Sequence, residues 1–330
     1  MANATIDVVK PGLETSVQEL PGRIGYWEQG FPPSGPMDIW SFRLANLLVG
    51  NPPETAALEC QFLGPELVFQ APVRVAITGA DMMPMVDGGQ VDLWTTLQLE
   101  AGQRLTLGPA RTGARAYVAI SGGIDAAPVL GSRATFHMAG IGGIDGHAIK
   151  TGQSIPIGQA GNGPQHGTRI APAARPAING ERHWTIEVVA GPNDDWIDAA
   201  GKARFLEADW TLTAKSDRTG FRLSGPAWSF SPLATQKRPE HGRDPSNILD
   251  HGYPFGAVNL AGQTPIILVN DGPSTGGFIN PYTVITAAFW KLAQSRPGDI
   301  YRFAALTVEE AQQRRRQLDR HCTPASLVTA

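Results

Sequence analysis

Apolar residues recur along the chain at two spacings, and each spacing predicts a different element. Residues 37–49 follow a helical period: Trp40, Leu44, Leu47 and Leu48 fall at i, i+4, i+7 and i+8, and Gly50-Asn51-Pro52-Pro53 ends the run. Asp38 stands there as a first-turn acid, favourable against the helix dipole. From 56 to 157 no helix is expected. Short apolar runs follow one another instead, at 57–62, 66–69, 74–78, 85–86, 96–99, 104–107, 115–120 and 154–157. Turn signals such as Gly64-Pro65, Asp87-Gly88-Gly89 and Gly122-Gly123 separate them, which predicts a barrel or sandwich. The second half predicts strands at 184–189, 210–213, 221–223, 264–270 and 300–303, with helices at about 194–205, 284–294 and 308–320.

The stretch 159–179 is rich in Gly, Pro and Ala without apolar periodicity, so it marks a boundary. The expected division is a first β-barrel over 1–165 and a second over 180–330, the latter ending in a helix. A faint echo supports two related domains: Gln61-Phe62-Leu63-Gly64-Pro65 is matched by Arg222-Leu223-Ser224-Gly225-Pro226. Composition agrees with many short strands joined by tight turns: of 330 residues only 17% are charged, while 38 are Gly and 27 Pro.

Charge and cysteine usage then narrow the function classes. A net charge of -3 argues against nucleic-acid binding, which needs a clustered basic surface. No run is long enough for a membrane span, and the N-terminus lacks the features of a signal peptide. Two cysteines, and seven histidines without H-x-x-x-H or H-x-H spacing, make a metal site unexpected. A cytoplasmic protein is the simplest expectation.

Candidate chemistry concentrates at 244–281. There the apolar strand empties into Asp271-Gly272-Pro273-Ser274-Thr275-Gly276-Gly277, behind a polar cluster of Asp244, Ser246, Asn247, Asp250 and His251. Glycines let backbone approach a ligand closely, and the absence of lysine from this stretch suits a small, neutral, polar substrate. Each residue also has an ordinary role open to it. Asp271 could close a turn, Asn247 could form an Asx-turn or cap, and Arg218 reads first as an ion pair or loop clamp. As loop residues, neither Asp271 nor Asn247 is expected to matter to stability.

Several stretches resemble the carboxyltransferase A–B segment of the urea carboxylase family. They are Gly25 to Asn51, Ile77-Thr78-Gly79-Ala80-Asp81, Tyr117 to Phe136, Ser216 to Leu223 and the 244–281 region. The wider family includes the C-type component of bacterial 5-oxoprolinase and the allophanate hydrolase subunit 2 proteins. Pro245-Ser246-Asn247 and Asn270-Asp271-Gly272-Pro273-Ser274 resemble the urea branch, from which Asp244 departs where His is expected.

The resemblance implies a mostly β fold of two cyclophilin-like barrels, forming half of a biotin-dependent carboxyltransferase. The implied partners are a C–D subunit, a biotin carboxylase that uses ATP and a biotin carrier, because the chain has neither a Met-Lys-Met site nor a phosphate loop. The reaction would move CO2 from carboxybiotin to the amide nitrogen of urea or a urea-like compound. It leaves a ureido oxyanion needing hydrogen-bond donors, from amides of 272–277 or Gly122-Gly123 or from a guanidinium such as Arg218. Asp271, Asn247, Gly272 and Arg218 are the candidate catalytic residues. Ser246, Asp250, Ser274, Gly276 and Gly277 are the candidate substrate-binding ones. In this scheme Asp271 accepts a substrate N–H and Asn247 donates to its carbonyl. The alternatives are a subunit of an ATP-dependent 5-oxoprolinase and a non-catalytic regulatory partner.

Overall fold

The computed structural model describes residues 4–329. The chain divides into two compact units, one taking in the residues up to Tyr26, Pro33–Gly180 and the segment from Gln317, the other Trp27–Pro32 and Glu181–Arg316. Both are built mainly of β-strands, as the strand spacing predicts.

In the first unit, a six-stranded and a five-stranded antiparallel sheet enclose one core. The period of two decides which residues enter it. Along the strand Thr112–Ile120, Ala116, Val118 and Ile120 face that core. Tyr117 and Ala119 face the opposite side, where the helix Ile39–Val49 packs through Phe42, Leu44 and Leu48. The helix begins two residues later than its apolar period suggests. Asp38 is its N-cap, accepting from Ser41 N at 2.9 Å, rather than a first-turn acid. The C-terminal segment joins this unit through the pairing of Arg169–Ile170 with Leu327–Val328 and an Arg43–Asp319 ion pair at 2.5 Å.

In the second unit, seven strands close into a barrel. His183–Ala190 pairs antiparallel with Tyr282–Val284 and parallel with Ile300–Ala305, and that parallel pairing completes the ring. Phe205, on the helix Ala199–Glu207, fills the interior against Phe303 (4.2 Å between ring centroids), Tyr282 (4.6 Å) and Trp228 (5.0 Å).

Several elements differ from expectation. The helix expected at 284–294 is shorter, because Val284 pairs with Val188 in the barrel and only Phe289–Gln294 is α-helical. The helix expected near 194 starts at Ala199, capped by Asp198, after a single 3-10 turn at Asp194–Trp196. The strand Thr264–Leu268 stops short of Asn270, since Asp271 N turns back to Arg218 O (2.8 Å). Two strands, Asn247–Gly252 and Ala257–Ala261, lie where a polar loop and its continuation were expected.

Candidate functional site

The loop after Thr264–Leu268 is zipped to the one carrying Arg218. Val269 N donates to Thr219 O (3.4 Å), and Gly272 N donates to Val269 O (2.8 Å). A Cβ at Gly272 would lie 3.0 Å from two carbonyl oxygens, which is tighter than most side chains tolerate. Within this zipper Arg218 Nε meets Asp271 Oδ2 at 2.9 Å, and Nη2 stands 3.5 Å from Oδ1. Both residues are buried, at 5% and 6% exposure. The ordinary role considered for Arg218, an ion pair, is present, and its partner is the other charged candidate. One oxygen of Asp271 is therefore committed to the guanidinium, and Oδ1 keeps lone pairs for a further donor.

The turn before Asn247–Gly252 is held from three sides. Asp244 Oδ1 accepts from Ser246 N (2.9 Å) and Ser246 Oγ (2.7 Å), and those bonds hold its carboxyl below the usual range. Ser246 Oγ accepts in turn from Gly262 N at 2.9 Å; this serine is fully buried and acts as a brace. Lys237 donates to Asn247 O at 2.6 Å and to Asp244 O, with its ammonium 5.5 Å from the Trp196 ring centroid. Desolvation depresses the Lys237 pKa. The half-buried side-chain amide of Asn247, by contrast, makes no hydrogen bond to the described residues.

Lys237 lies outside the stretch that sequence reasoning singled out, and only the fold brings it under Asn247. Lys237→Ala should speed amide hydrogen exchange across 244–252 by on the order of tenfold, since two hydrogen bonds from a charged donor are lost. Unchanged exchange there, by mass spectrometry, would show that the lysine is no brace.

Asn247–Gly252 pairs with Thr275–Phe278 as a two-stranded ribbon, in register Asn247 with Phe278 and His251 with Gly276. Tyr253 N donates to Ser274 O (2.7 Å), and Phe278 N donates to the Tyr253 hydroxyl (2.7 Å). Gly276 is required by this packing, because a Cβ there would lie 2.7 Å from the tyrosine ring. Asp250 is exposed on the ribbon. Gly276 and Gly277 line a cleft of about 250 Å³ with Tyr253, Asn259, Arg222 and Ile266.

The first unit bears on the expected oxyanion donors. Gly122 N donates to Asn51 Oδ1 (2.9 Å) and Gly123 N to Ile120 O (2.8 Å), so both amides are engaged. Arg133 lies beside Glu19 at 3.7 Å and lines a pocket of about 350 Å³ with Glu54, Gly122 and Asp125. Among the described residues no group of three or more His, Cys, Asp or Glu is placed to hold a metal, and no helix is long and apolar enough to cross a membrane.

Comparison with known proteins matches these features to one family. The sequence profile described as carboxyltransferase domain, subdomain A and B, matches residues 29–305. A urea amidolyase of Saccharomyces cerevisiae is 37% identical over 315 residues, covering 93% of this chain but 17% of the yeast protein. The C-type 5-oxoprolinase component of Escherichia coli is 33% identical over 318 residues, covering 96% of each chain. Among solved structures, the K. lactis urea amidolyase superimposes with a TM-score of 0.91 at 32% identity, over 99% of this chain and 21% of that one. This chain belongs to the carboxyltransferase domain family, subdomains A and B.

Proposed function

We propose that the chain is the A–B portion of a biotin-dependent carboxyltransferase that moves CO2 to the amide nitrogen of urea or a urea-like compound. The observation that carries it is the unpartnered side-chain amide of Asn247, held on a turn pinned by Lys237, Ser246 and Asp244. A rigid backbone that presents one free amide suits recognition of a small carbonyl compound, because positioning must supply much of the rate for so poor a nucleophile. Asn247 Nδ2 donates to the substrate carbonyl, and Asp271 Oδ1 accepts a substrate N–H while Arg218 orients the carboxylate. Similarity over 93% of this chain to a segment making up 17% of a urea amidolyase supports urea as the substrate class.

Biotin on a separate carrier supplies the CO2. The backbone amides of Gly272, Gly122 and Gly123 are already bonded within the chain, so they do not fit as donors to its ureido oxygen.

The test is reconstitution with a C–D subunit, biotin carboxylase and carrier, measuring urea-dependent ATP hydrolysis. Asn247→Ala should lower kcat/KM by roughly two- to tenfold, the worth of one neutral hydrogen bond, without changing Tm. The chain alone, given free biotin, ATP and bicarbonate, should turn over nothing. Its end-to-end match to a 5-oxoprolinase component favours a second reading, part of an ATP-dependent amidohydrolase. ATP hydrolysis that depends on 5-oxoproline but not on biotin would establish that one and sink the first.

A further inference from the structure

We propose that the cleft between the ribbon and the barrel is a binding site for a small organic carboxylate with a short apolar tail. The cleft holds about 250 Å³, the share of roughly eight water molecules in the liquid. Ile266, Leu268, Pro273 and Phe278 give it apolar walls.

Its polar lining is dominated by donors. Asn259, on the strand Ala257–Ala261, is 3% exposed. Its Oδ1 accepts from Asn280 Nδ2 (3.4 Å), and its own Nδ2 has no partner among the described residues. Asn280 Oδ1 in turn accepts from Thr283 Oγ1 (3.3 Å). Asn259 lines the cleft, where a ligand atom with lone pairs can accept from its amide. The Tyr253 hydroxyl already accepts from Phe278 N, which leaves its proton to donate. Burial raises its pKa, so that proton stays in place at neutral pH. Arg222 uses Nη1 on Lys215 O (2.7 Å) and keeps the rest of its guanidinium available.

Arg222 is the one charged residue among those lining the cleft. Asp217 Oδ1 accepts from the N–H groups of Thr219 (2.8 Å) and Gly220 (3.2 Å), and Asp250 stands beside Gly277 on the exposed rim. Three donors, one of them cationic, select an anionic acceptor, and the walls select a short hydrocarbon tail. Neither carrier nor ATP enters this recognition, so it stands or falls apart from the carboxyltransferase reading.

The test uses the purified chain, with pentanoate as probe and pentanamide as its neutral counterpart, by calorimetric titration. Pentanoate should bind about tenfold more tightly than pentanamide, the worth of one charge-assisted hydrogen bond. Arg222→Gln should erase that preference, and Tyr253→Phe should weaken both probes several-fold. On the unmodified chain, pentanoate should shift the ¹⁵N side-chain resonance of Asn259, a readout that needs no variant to fold. No binding, binding indifferent to both substitutions, or an unshifted Asn259 amide would each overturn the site.

Discussion

Replacing Asp271 by alanine should destabilise the fold by about 3–5 kcal/mol, the usual cost of stripping one partner from a buried ion pair. Burial, rather than the number of contacts, sets that cost. Arg218 and Asp271 are 5% and 6% exposed, and Nε lies 2.9 Å from Oδ2. Without the carboxylate, the guanidinium loses its opposite charge in a place where water cannot replace it. The same substitution frees no backbone bond, since Asp271 N still reaches Arg218 O. Equilibrium denaturation followed by tryptophan fluorescence should therefore show a lower midpoint at an unchanged slope. Asn247→Ala, which removes an unpartnered amide, should leave the midpoint where it was. A loss below about 1 kcal/mol for Asp271→Ala would mean that the pair is solvated and contributes as little as a surface pair does. Its loop position alone predicts no such loss; burial against the neighbouring loop reverses that expectation.

Glu59→Ala should cost a similar amount, about 3–5 kcal/mol, in the first unit. Glu59 is 3% exposed on the strand Ala57–Gln61. Its Oε2 accepts from Met37 N (2.8 Å) and from the Tyr117 hydroxyl (2.7 Å), and its Oε1 faces Arg115 Nε at 3.6 Å. The Tyr117 hydroxyl accepts in turn from Asp38 N (2.8 Å), so one carboxylate organises the approach to the helix Ile39–Val49. Burial first, and then the Glu59 charge, push the Tyr117 pKa well above its ordinary value, so this hydroxyl remains a donor. Glu59→Gln keeps a hydrogen-bond acceptor and loses only the charge, so it should cost clearly less than alanine. Equal losses for the two variants, measured by denaturant midpoint, would show that charge rather than hydrogen bonding holds the network.

Much of the strand framework was legible because the period of two is a local property. The runs at 66–69 and 85–86 coincide with strands of the same bounds, and the helix ending at Val49 was announced by its apolar stripe and by Gly50. The ribbon Asn247–Gly252 was not legible. Its residues are polar or half-exposed, and its partner strand is Thr-Gly-Gly-Phe, so neither carries an apolar alternation to read. What identifies them as strands is their pairing with each other across the intervening strands Ala257–Ala261 and Thr264–Leu268, which is tertiary information.

The candidate site divides in the same way. By itself the sequence determined where polar chemistry gathers, because turn residues and glycines in 244–281 interrupt an otherwise apolar pattern. It could not determine which of those groups are free. Asp271 and Arg218 are 53 positions apart, and the antiparallel pairing of Gly220–Ser224 with Thr264–Leu268 brings one against the other. Ser246 is held inward by Gly262, Gly272 by Val269, and Lys237 arrives from a segment with no signal of its own. A hydrogen bond depends on the distance between two groups, and for groups far apart in the chain that distance is set by how the strands close. Residue type and order therefore decided what chemistry the loop could offer, and tertiary structure decided which of its groups are engaged by other parts of the chain.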